Sequence, residues 1–226
     1  MSNDRKRHVI PGEIITSGPY RAEQNTIQVG ESIVSTIVGL SDVHDGSVRV
    51  IPLTGGYIPK DDDLVIGKVV SHSSLSWTID INSCYAGMLP ASDVFGRDYS
   101  SSSDDMSAKL SKGDLIAARI VNFDKTRDPL VTISGRELGK IDSGELVKIS
   151  PNKVPRLIGK RGSMIQMIES STNSQITIGQ NGWLVLSSED PNGLLKAMHA
   201  IELIEEQAHV ANLTDQVKEM LESKSE

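Results

Sequence analysis

The chain has 226 residues, a formal net charge of −7 and 38% hydrophobic residues, with a single cysteine. An acidic balance argues against a protein that binds nucleic acid over its whole surface, so any site for a polyanion must be local. One cysteine excludes an internal disulfide and a cysteine-rich zinc ribbon, and the histidines form no pair at ligand spacing, so we expect neither a metal site nor a cofactor.

The hydropathy pattern shows no segment suited to a membrane. No apolar run approaches the roughly 20 residues that a membrane-spanning helix needs. The polar N-terminus, Met-Ser-Asn-Asp-Arg-Lys-Arg-His, leads into no apolar signal core. We therefore expect a cytoplasmic protein that contacts no membrane.

Residues 1–62 predict a β domain with many turns. Short strand-like runs alternate with turn signals at Pro11-Gly12, Gly18-Pro19, Asp45-Gly46 and Gly55-Gly56. The segment lacks the interleaved basic and aromatic residues that are typical of a nucleic-acid surface. We expect it to dock on a partner protein.

Residues 63–138 predict a second β domain. Its five strand-like segments are Leu64–Ser71, Ser76–Ile81, Ala86–Leu89, Asp114–Asn122 and Leu130–Ser134. A polar insert from Arg97 to Met106 interrupts them, as an exposed loop would. Five strands in about 70 residues fit a small OB-type barrel, a fold that binds single strands with aromatic and cationic side chains on one face. Cys84, in a strand-like stretch of this segment, is expected to fill the core.

One aromatic residue and several cations are the candidate contacts on this barrel. They are Trp77, Lys68, Arg119, Lys125 and Arg127. Trp77 alternates with Ile79 and Ile81, so these three side chains share one strand face. If that face points outward, Trp77 can stack on a base; if it points inward, Trp77 belongs to the core. The sequence leaves both alternatives open.

Residues 144–226 predict an α+β domain, because the period of the apolar residues changes here. The predicted elements are a strand at Glu145–Ser150, helices at Val154–Ile158 and Ser163–Ser170, strands at Ser174–Ile178 and Trp183–Ser187, and a long helix from about Pro191. Their order is β-α-α-β-β-α. A short amphipathic helix is predicted to follow from Thr214 as its N-cap; we expect it to pack on the domain, with capture of a partner as the alternative.

The segment Leu-Ile-Gly-Lys-Arg-Gly-Ser-Met-Ile at 157–165 carries the strongest functional signal. Gly159 and Gly162 bracket two basic residues between two helix-like segments. Such a turn lets a nucleic-acid backbone approach bare main-chain N–H groups. The run Gly179-Gln180-Asn181-Gly182 has the same spacing, but it is neutral and lies between strands, so it predicts a hairpin turn.

The distribution of charge supports a local site around the basic turn. Between Pro151 and Ser187 the basic residues are Lys153, Arg156, Lys160 and Arg161, against the single acid Glu169. The alternative is an ordinary solvated face. The carboxylate runs Asp61-Asp62-Asp63 and Asp104-Asp105 could hold Mg²⁺, but no nucleophile or base accompanies them, so we predict no catalytic residues and no enzymatic activity.

These motifs resemble three known modules. The β-α-α-β-β-α order with Gly-Lys-Arg-Gly between its first helices resembles a type I KH domain. Ile66-Gly67-Lys68-Val69-Val70 and Leu130-Val131-Thr132-Ile133-Ser134 resemble the OB-fold domain of the ribosomal S-one type, and Val9-Ile10-Pro11-Gly12-Glu13 resembles the opening of exosome cap subunits. Over residues 8–222 the chain resembles the KH-bearing RNA-binding cap subunit of the archaeal exosome.

The resemblance implies a function. Three copies would cap a hexameric ring of RNase PH-fold subunits, beside which the other type of cap subunit is a potential partner. The chain would capture single-stranded RNA and guide it into the channel for 3′-to-5′ degradation or processing, while catalysis belongs to the ring. The alternative is a free-standing transcription or translation factor that binds RNA through OB and KH modules.

The resemblance also implies a set of RNA contacts. In the KH domain they are Arg156, Ile158, Gly159, Lys160, Arg161, Gly162, Ser163, Met164 and Ile165. Ile158, Met164 and Ile165 would border the groove for the bases. On the barrel, Asp124 and Arg127 lie where the family has acidic and basic residues of the RNA face.

Overall fold

A computed structural model describes residues 7–53, 55–96, 99–100, 105–208, 210 and 212–222. The chain forms two compact units, residues 1–55 and 56–226. None of the helices within the described ranges is long and apolar enough to cross a membrane.

The first unit is the predicted N-terminal β domain. Its strands are β1 (His8–Val9), β2 (Ile14–Ser17), β3 (Arg21–Ala22), β4 (Thr26–Val29), β5 (Ser32–Ser35), β6 (Gly39–His44) and β7 (Ser47–Pro52). They form a β1-β6-β7-β3 sheet and a β2-β5-β4 sheet. Asp45 and Gly46 connect β6 to β7 with φ angles of 45° and 77°, a conformation that Asp-Gly turns adopt readily.

The second unit begins with the barrel. Its strands are β8 (Leu64–His72), β9 (Ser76–Asp80), β10 (Ala86–Pro90), β11 (Leu115–Asn122), β12 (Leu130–Thr132) and β13 (Gly139–Ile141), with helices α1 (Ala91–Phe95) and α2 (Met106–Lys109) between β10 and β11. The strand order is β12-β10-β9-β8-β11, and pairing of β11 with β12 closes the barrel. The predicted five-stranded barrel is confirmed. β13, which extends the sheet beside β11, was not predicted. The predicted insert 97–106 falls partly outside the described residues.

The barrel core decides between the two alternatives for Trp77. Its side chain is 0% exposed and its indole N–H donates to the Leu110 carbonyl at 3.0 Å. Ile79 and Ile81 are buried on the same face. The alternative in which Trp77 stacks on RNA is therefore excluded, because its strand face points into the barrel. Cys84 is exposed in the turn after β9, so the prediction that it fills the core is also wrong.

The rest of the second unit is the predicted β-α-α-β-β-α domain. Its elements are β14 (Glu145–Lys148), α3 (Val154–Ile158), α4 (Ser163–Thr172), β15 (Ser174–Ile178), β16 (Trp183–Ser188) and α5 (Pro191–Gln207). The sheet order is β14-β16-β15, with both pairs antiparallel. Asp190 caps α5, since its carboxylate accepts from the N–H groups of Asn192 at 3.0 Å and Gly193 at 3.1 Å.

A final helix, α6 (Leu213–Glu222), covers the same core. Leu213, Val217 and Leu221 recur at intervals of four residues and are buried with Ile168 and Ile204. The helix thus packs on the domain, as expected. It begins at Leu213, so the prediction of Thr214 as its N-cap is wrong.

The β15–β16 hairpin joins the barrel to this domain. Asn181 is fully buried; its Nδ2 donates to the carbonyls of Ile66 at 2.7 Å and Ile81 at 2.9 Å, and its Oδ1 accepts from the Ile66 N–H at 3.2 Å. Trp183 and Val185 pack against Ile66 in a small apolar cluster beside it. The run 179–182 is therefore a hairpin turn, as predicted, and it also fixes one domain against the other.

Candidate nucleic-acid interface

The Gly-Lys-Arg-Gly turn reverses the chain between α3 and α4. Gly159 ends α3 with φ 73° and ψ −178°, and Gly162 precedes α4 with φ 82° and ψ 8°. Between them, Arg161 is also left-handed at φ 56°. Three main-chain hydrogen bonds hold the turn. The Gly159 N–H donates to the Pro155 carbonyl at 3.1 Å, the Gly162 N–H to the Gly159 carbonyl at 3.4 Å, and the Ser163 N–H to the Lys160 carbonyl.

The two glycines serve different purposes. A Cβ on Gly159 would lie 2.8 Å from the Cβ of Met164 and 2.9 Å from its backbone nitrogen, so this glycine lets α3 approach α4. A Cβ on Gly162 would meet only Gln166 Nε2 at 3.7 Å and Ile165 Cγ2 at 4.0 Å. These are ordinary van der Waals distances, and Gly162 is partly exposed, so a side chain fits at this position without a clash.

The charge around the turn favours an anion. Lys160 and Arg161 are exposed, and within the described ranges neither forms an ion pair with a carboxylate. No side chain caps the N-terminus of α4, where Ser163 is exposed. The Ser163 N–H donates to the Lys160 carbonyl. The N–H groups that follow it at an uncapped helix N-terminus, with the partial positive charge there, suit a phosphate.

The apolar residues next to the turn divide into two groups. Ile158 and Ile165 are partly exposed and can flank a bound base. Met164 is only 4% exposed and packs in the core with Ile168, four residues later on the same helix face. The prediction that Met164 borders the groove is therefore wrong, because the α4 face it occupies points inward.

Two of the four basic residues between Pro151 and Ser187, Arg156 and Lys153, make contacts within the domain. Arg156 donates through Nη2 to the Val210 carbonyl at 3.1 Å, so part of its hydrogen-bonding capacity is used inside the domain. Lys153 donates through Nζ to the Glu205 carboxylate at 2.9 Å and to the Glu205 carbonyl at 2.6 Å. The same carboxylate accepts from Ser150, at 2.6 Å from its hydroxyl and 3.1 Å from its N–H.

Glu205 is not identifiable from the sequence, because it lies 52 residues from Lys153 and no spacing links them. Burial alone would raise the pKa of Glu205, but the hydrogen bonds from Ser150 and Lys153 outweigh it and hold this pKa below its usual range. Glu205 thus stays ionised and anchors the segment that leads into α3.

The cations predicted on the barrel are exposed but do not form one cluster by direct contact. Lys68 lies on β8 opposite Asp80 of β9. Arg119 donates through Nη1 to the Asp62 carbonyl at 2.8 Å. The other candidates, Asp124, Lys125 and Arg127, lie in the loop after β11.

This loop holds its own charges in place. The guanidinium of Arg127 pairs with the Asp124 carboxylate at 3.2 Å. Hydrogen bonds from Thr126, with a smaller effect of Arg127, hold the pKa of Asp124 below its usual range. Asp124 therefore orders the loop as a carboxylate at neutral pH.

Two carboxylates of the acidic run 61–63, which could have held Mg²⁺, accept hydrogen bonds within the barrel. Asp61 accepts from the Phe123 N–H at 2.8 Å, and Asp63 accepts from the Tyr57 hydroxyl at 2.7 Å. In the part of the chain that the structure describes, no three His, Cys, Asp or Glu side chains come close enough to hold a metal ion. Asp104 of the second run falls outside the described residues. What the described arrangement supports chemically is binding.

Comparison with known proteins agrees with this architecture. Residues 6–54 match the family model described as the exosome RNA binding protein RRP4 N-terminal domain, and residues 144–203 match the KH domain model. The chain is 67% identical to the exosome complex component Rrp4 of Nitrosopumilus maritimus over 99% of each chain. It is 42% identical to that of Thermofilum pendens, over 96% of this chain and 92% of the relative.

A solved structure gives the same result at the level of the fold. The chain is similar to a crystal structure assigned to an exosome complex RNA-binding protein, with a TM-score of 0.71 and 39% identity. The match covers 74% of this chain and 96% of the other. Identity above 40% to two relatives over nearly the whole length leaves one conclusion: the chain belongs to the Rrp4 family of exosome components.

Proposed function

We propose that this chain is a non-catalytic RNA-binding subunit of the exosome, which captures single-stranded RNA through its Gly-Lys-Arg-Gly turn. The observation that carries the proposal is the turn itself, with two exposed cations, a partly exposed Gly162 and no side-chain cap at the start of α4. Its relatives are named exosome complex components, and this does not favour a free-standing transcription or translation factor.

The turn would bind the RNA backbone. Main-chain N–H groups at the start of α4 would donate to a phosphate, and Lys160 and Arg161 add charge that carries no base preference. Ile158 and Ile165 would flank the bases. The barrel cations Lys68, Arg119, Lys125 and Arg127, with Asp124, would form a second contact. Because Asn181 fixes the barrel to the KH domain, both contacts act on one strand from a constant orientation.

A site with so few cations binds weakly alone. Each single-strand phosphate that it neutralises steepens the dependence of log affinity on log salt by only about 0.7. Three copies on a hexameric ring of RNase PH-fold subunits would raise the effective concentration of binding sites around one channel. In this arrangement the cap, alone or with the other cap subunit type, would guide the RNA in the cytoplasm, and the ring would cleave it.

The N-terminal unit would dock on the ring. Ile14 on β2 and Ile27 on β4 both pair with Val34 of the central strand β5, so they lie on one face of the small sheet. Ile14, Ile27 and Val29 are 54%, 53% and 58% exposed. An apolar row of this kind on a small sheet suits a protein interface.

A matched pair of variants tests the RNA site. Asp and Asn both tolerate the left-handed backbone of residue 162 and have nearly the same shape, so Gly162→Asp and Gly162→Asn differ mainly in charge. We expect Gly162→Asp to weaken binding of a fluorescein-labelled single-stranded RNA about tenfold relative to Gly162→Asn, because a carboxylate would face the phosphate. Fluorescence anisotropy on the full chain measures the difference.

The outcome depends on both variants being folded, which circular dichroism and the thermal unfolding midpoint establish. Equal RNA affinities for Gly162→Asp and Gly162→Asn would mean that no phosphate lies at this turn, and the proposed capture mechanism would have to be abandoned.

A further inference from the structure

Gln166 is a polar side chain beside the Gly-Lys-Arg-Gly turn that has no role in the interface described so far. It lies on α4 and is exposed. Its Nε2 atom is 3.7 Å from the position that a Cβ of residue 162 would take. Among the described residues, no hydrogen bond engages its amide. The amide therefore keeps both its donor and its acceptor for a ligand at the turn.

Helix α4 holds this amide in a fixed place. Gln166 follows Gly162 by four residues, and residues four apart lie on the same side of a helix. Ile168 is buried in the core and fixes the rotation of α4 about its axis. Glu169 accepts from the Ile176 N–H at 2.9 Å, which ties the helix to β15. A side chain on an element fixed in this way loses little conformational freedom of the backbone when it binds.

The chemistry of an amide restricts which part of a nucleotide it suits. Phosphate oxygens only accept hydrogen bonds, so a phosphate would use the Nε2 donor and leave the Oε1 acceptor of Gln166 without a partner. Lys160, Arg161 and the N–H groups of α4 also supply donors for a phosphate. A ribose 2′-hydroxyl both donates and accepts, and it is the group by which a protein can distinguish RNA from DNA.

The position of the amide also favours the sugar. Ile165 Cγ2 lies 4.0 Å from the same Cβ position of residue 162 as Gln166 Nε2, and the proposed function places Ile165 beside a base. The ribose connects the phosphate of a nucleotide to its base. A nucleotide with its phosphate on the main chain of the turn and its base against Ile165 therefore has its ribose within reach of Gln166.

We propose that Gln166 forms a hydrogen bond with the 2′-hydroxyl of this nucleotide and makes the turn prefer RNA to single-stranded DNA. The inference rests on the proposed function, because the nucleotide belongs to the strand that the turn captures.

The test compares a fluorescein-labelled oligouridine with an oligodeoxyuridine of the same length, which differ only in the 2′-hydroxyl groups. Fluorescence anisotropy measures both affinities for the full chain. We expect the RNA to bind about fivefold more tightly, which is the effect of one neutral hydrogen bond. Gln166→Met removes the amide and keeps the length and helix propensity of the side chain, so it should lower the ratio of the two affinities to about one.

Three further variants serve as controls. Gln166→Ala removes the amide with the best helix former and replaces Gln166→Met if that variant does not fold. Ser163→Ala removes an exposed hydroxyl at the same turn and should weaken binding of RNA and DNA to the same extent. Gln24→Met makes the matched change at an exposed glutamine of the N-terminal unit and should leave both affinities unchanged.

A spectroscopic measurement follows the amide directly. The side-chain amide signals of Gln166 in a heteronuclear NMR spectrum are those that disappear in Gln166→Met. We expect them to shift further with oligouridine than with oligodeoxyuridine, and equal shifts would contradict a contact with the 2′-hydroxyl.

The outcomes separate this contact from the proposed function. An unchanged affinity ratio in Gln166→Met, with binding still weaker in Gly162→Asp than in Gly162→Asn, would overturn the contact and leave RNA capture at the turn intact. An equal loss of RNA and DNA affinity in Gln166→Met would place the amide on a phosphate and would also overturn it. Equal affinities of the two Gly162 variants would overturn the proposed capture and the contact with it.

Discussion

Gly159 and Gly162 both flank the two basic residues of the Gly-Lys-Arg-Gly turn, but they adopt different backbone conformations. Gly159 combines φ 73° with ψ −178°, a region that is essentially open only to glycine. Gly162, at φ 82° and ψ 8°, is in the left-handed region that other residues enter at a cost of about 1–2 kcal/mol. Only Gly159 is also closely packed against the next helix.

The two alanine variants should therefore lose different amounts of stability. We expect Gly159→Ala to lower the free energy of unfolding by about 3 kcal/mol, since backbone strain adds to the contact with Met164. Gly162→Ala should lower it by about 1 kcal/mol. Urea unfolding of both variants measures the difference, and equal losses would contradict the assigned backbone conformations.

Single residues also show where sequence patterns stop being informative. The alternation of Trp77, Ile79 and Ile81 established that they share a face, but only closure of the barrel decides that the face points inward. The family resemblance implies that Met164 borders the groove, whereas the rotation of α4 places it in the core. In contrast, the glycines and cations of the turn were identifiable, because local backbone chemistry determines them.

At the scale of elements, α3 depends on the rest of its domain. A helix of five residues is far too short to be stable alone. It is held from both sides, by Glu205 of α5 through Ser150 and Lys153, and by the contact of Arg156 with the Val210 carbonyl. The helix itself is predictable from its sequence. The contacts that support it are not, because they join residues about 50 positions apart.

The anchor at Glu205 makes stability depend on pH. Its pKa is lower in the folded state, so its contribution is complete above the unfolded pKa of about 4.3 and is lost as the pH falls through the folded pKa. We expect Glu205→Gln to cost about 1 kcal/mol at pH 7 and progressively less as the pH falls toward 2.5, because the carboxylate becomes protonated. Thermal unfolding of the unsubstituted chain and of Glu205→Gln between these pH values measures the difference in their free energies of unfolding. A difference that stays constant with pH would contradict an ionised Glu205.

Some β elements are determined by their local sequence, and others form only through contacts with distant parts of the chain. Five strands of the barrel and the β15–β16 hairpin follow from alternation and turn residues, and the structure has them close to the predicted bounds. β13 was missed because its three residues, Gly139–Ile141, have no alternation of their own and form a strand only by pairing with β11. The burial of Asn181 against the barrel likewise depends on a partner domain that the local sequence does not reveal.

At the scale of the molecule, the chain separates two kinds of surface. The cations of the proposed RNA site lie in the unit formed by residues 56–226, whereas the apolar row of Ile14, Ile27 and Val29 lies in the unit formed by residues 1–55. A net charge of −7 limits binding of RNA elsewhere on the chain. Docking and RNA capture should therefore be separable by mutation.

The double variant Ile27→Glu, Val29→Glu tests this separation. Both residues are more than half exposed on β4, so charge is tolerated in the free chain but would be buried without a partner in an interface. We expect the variant to lose the ring of RNase PH-fold subunits in a tagged pull-down followed by native mass measurement, and to bind RNA as well as the unsubstituted chain. Leu75→Glu, at a barrel residue that is 69% exposed, is the matched control and should retain the ring. Retention of the ring by the double variant would place the docking surface elsewhere, and a parallel loss of RNA affinity would show that the two functions share one surface.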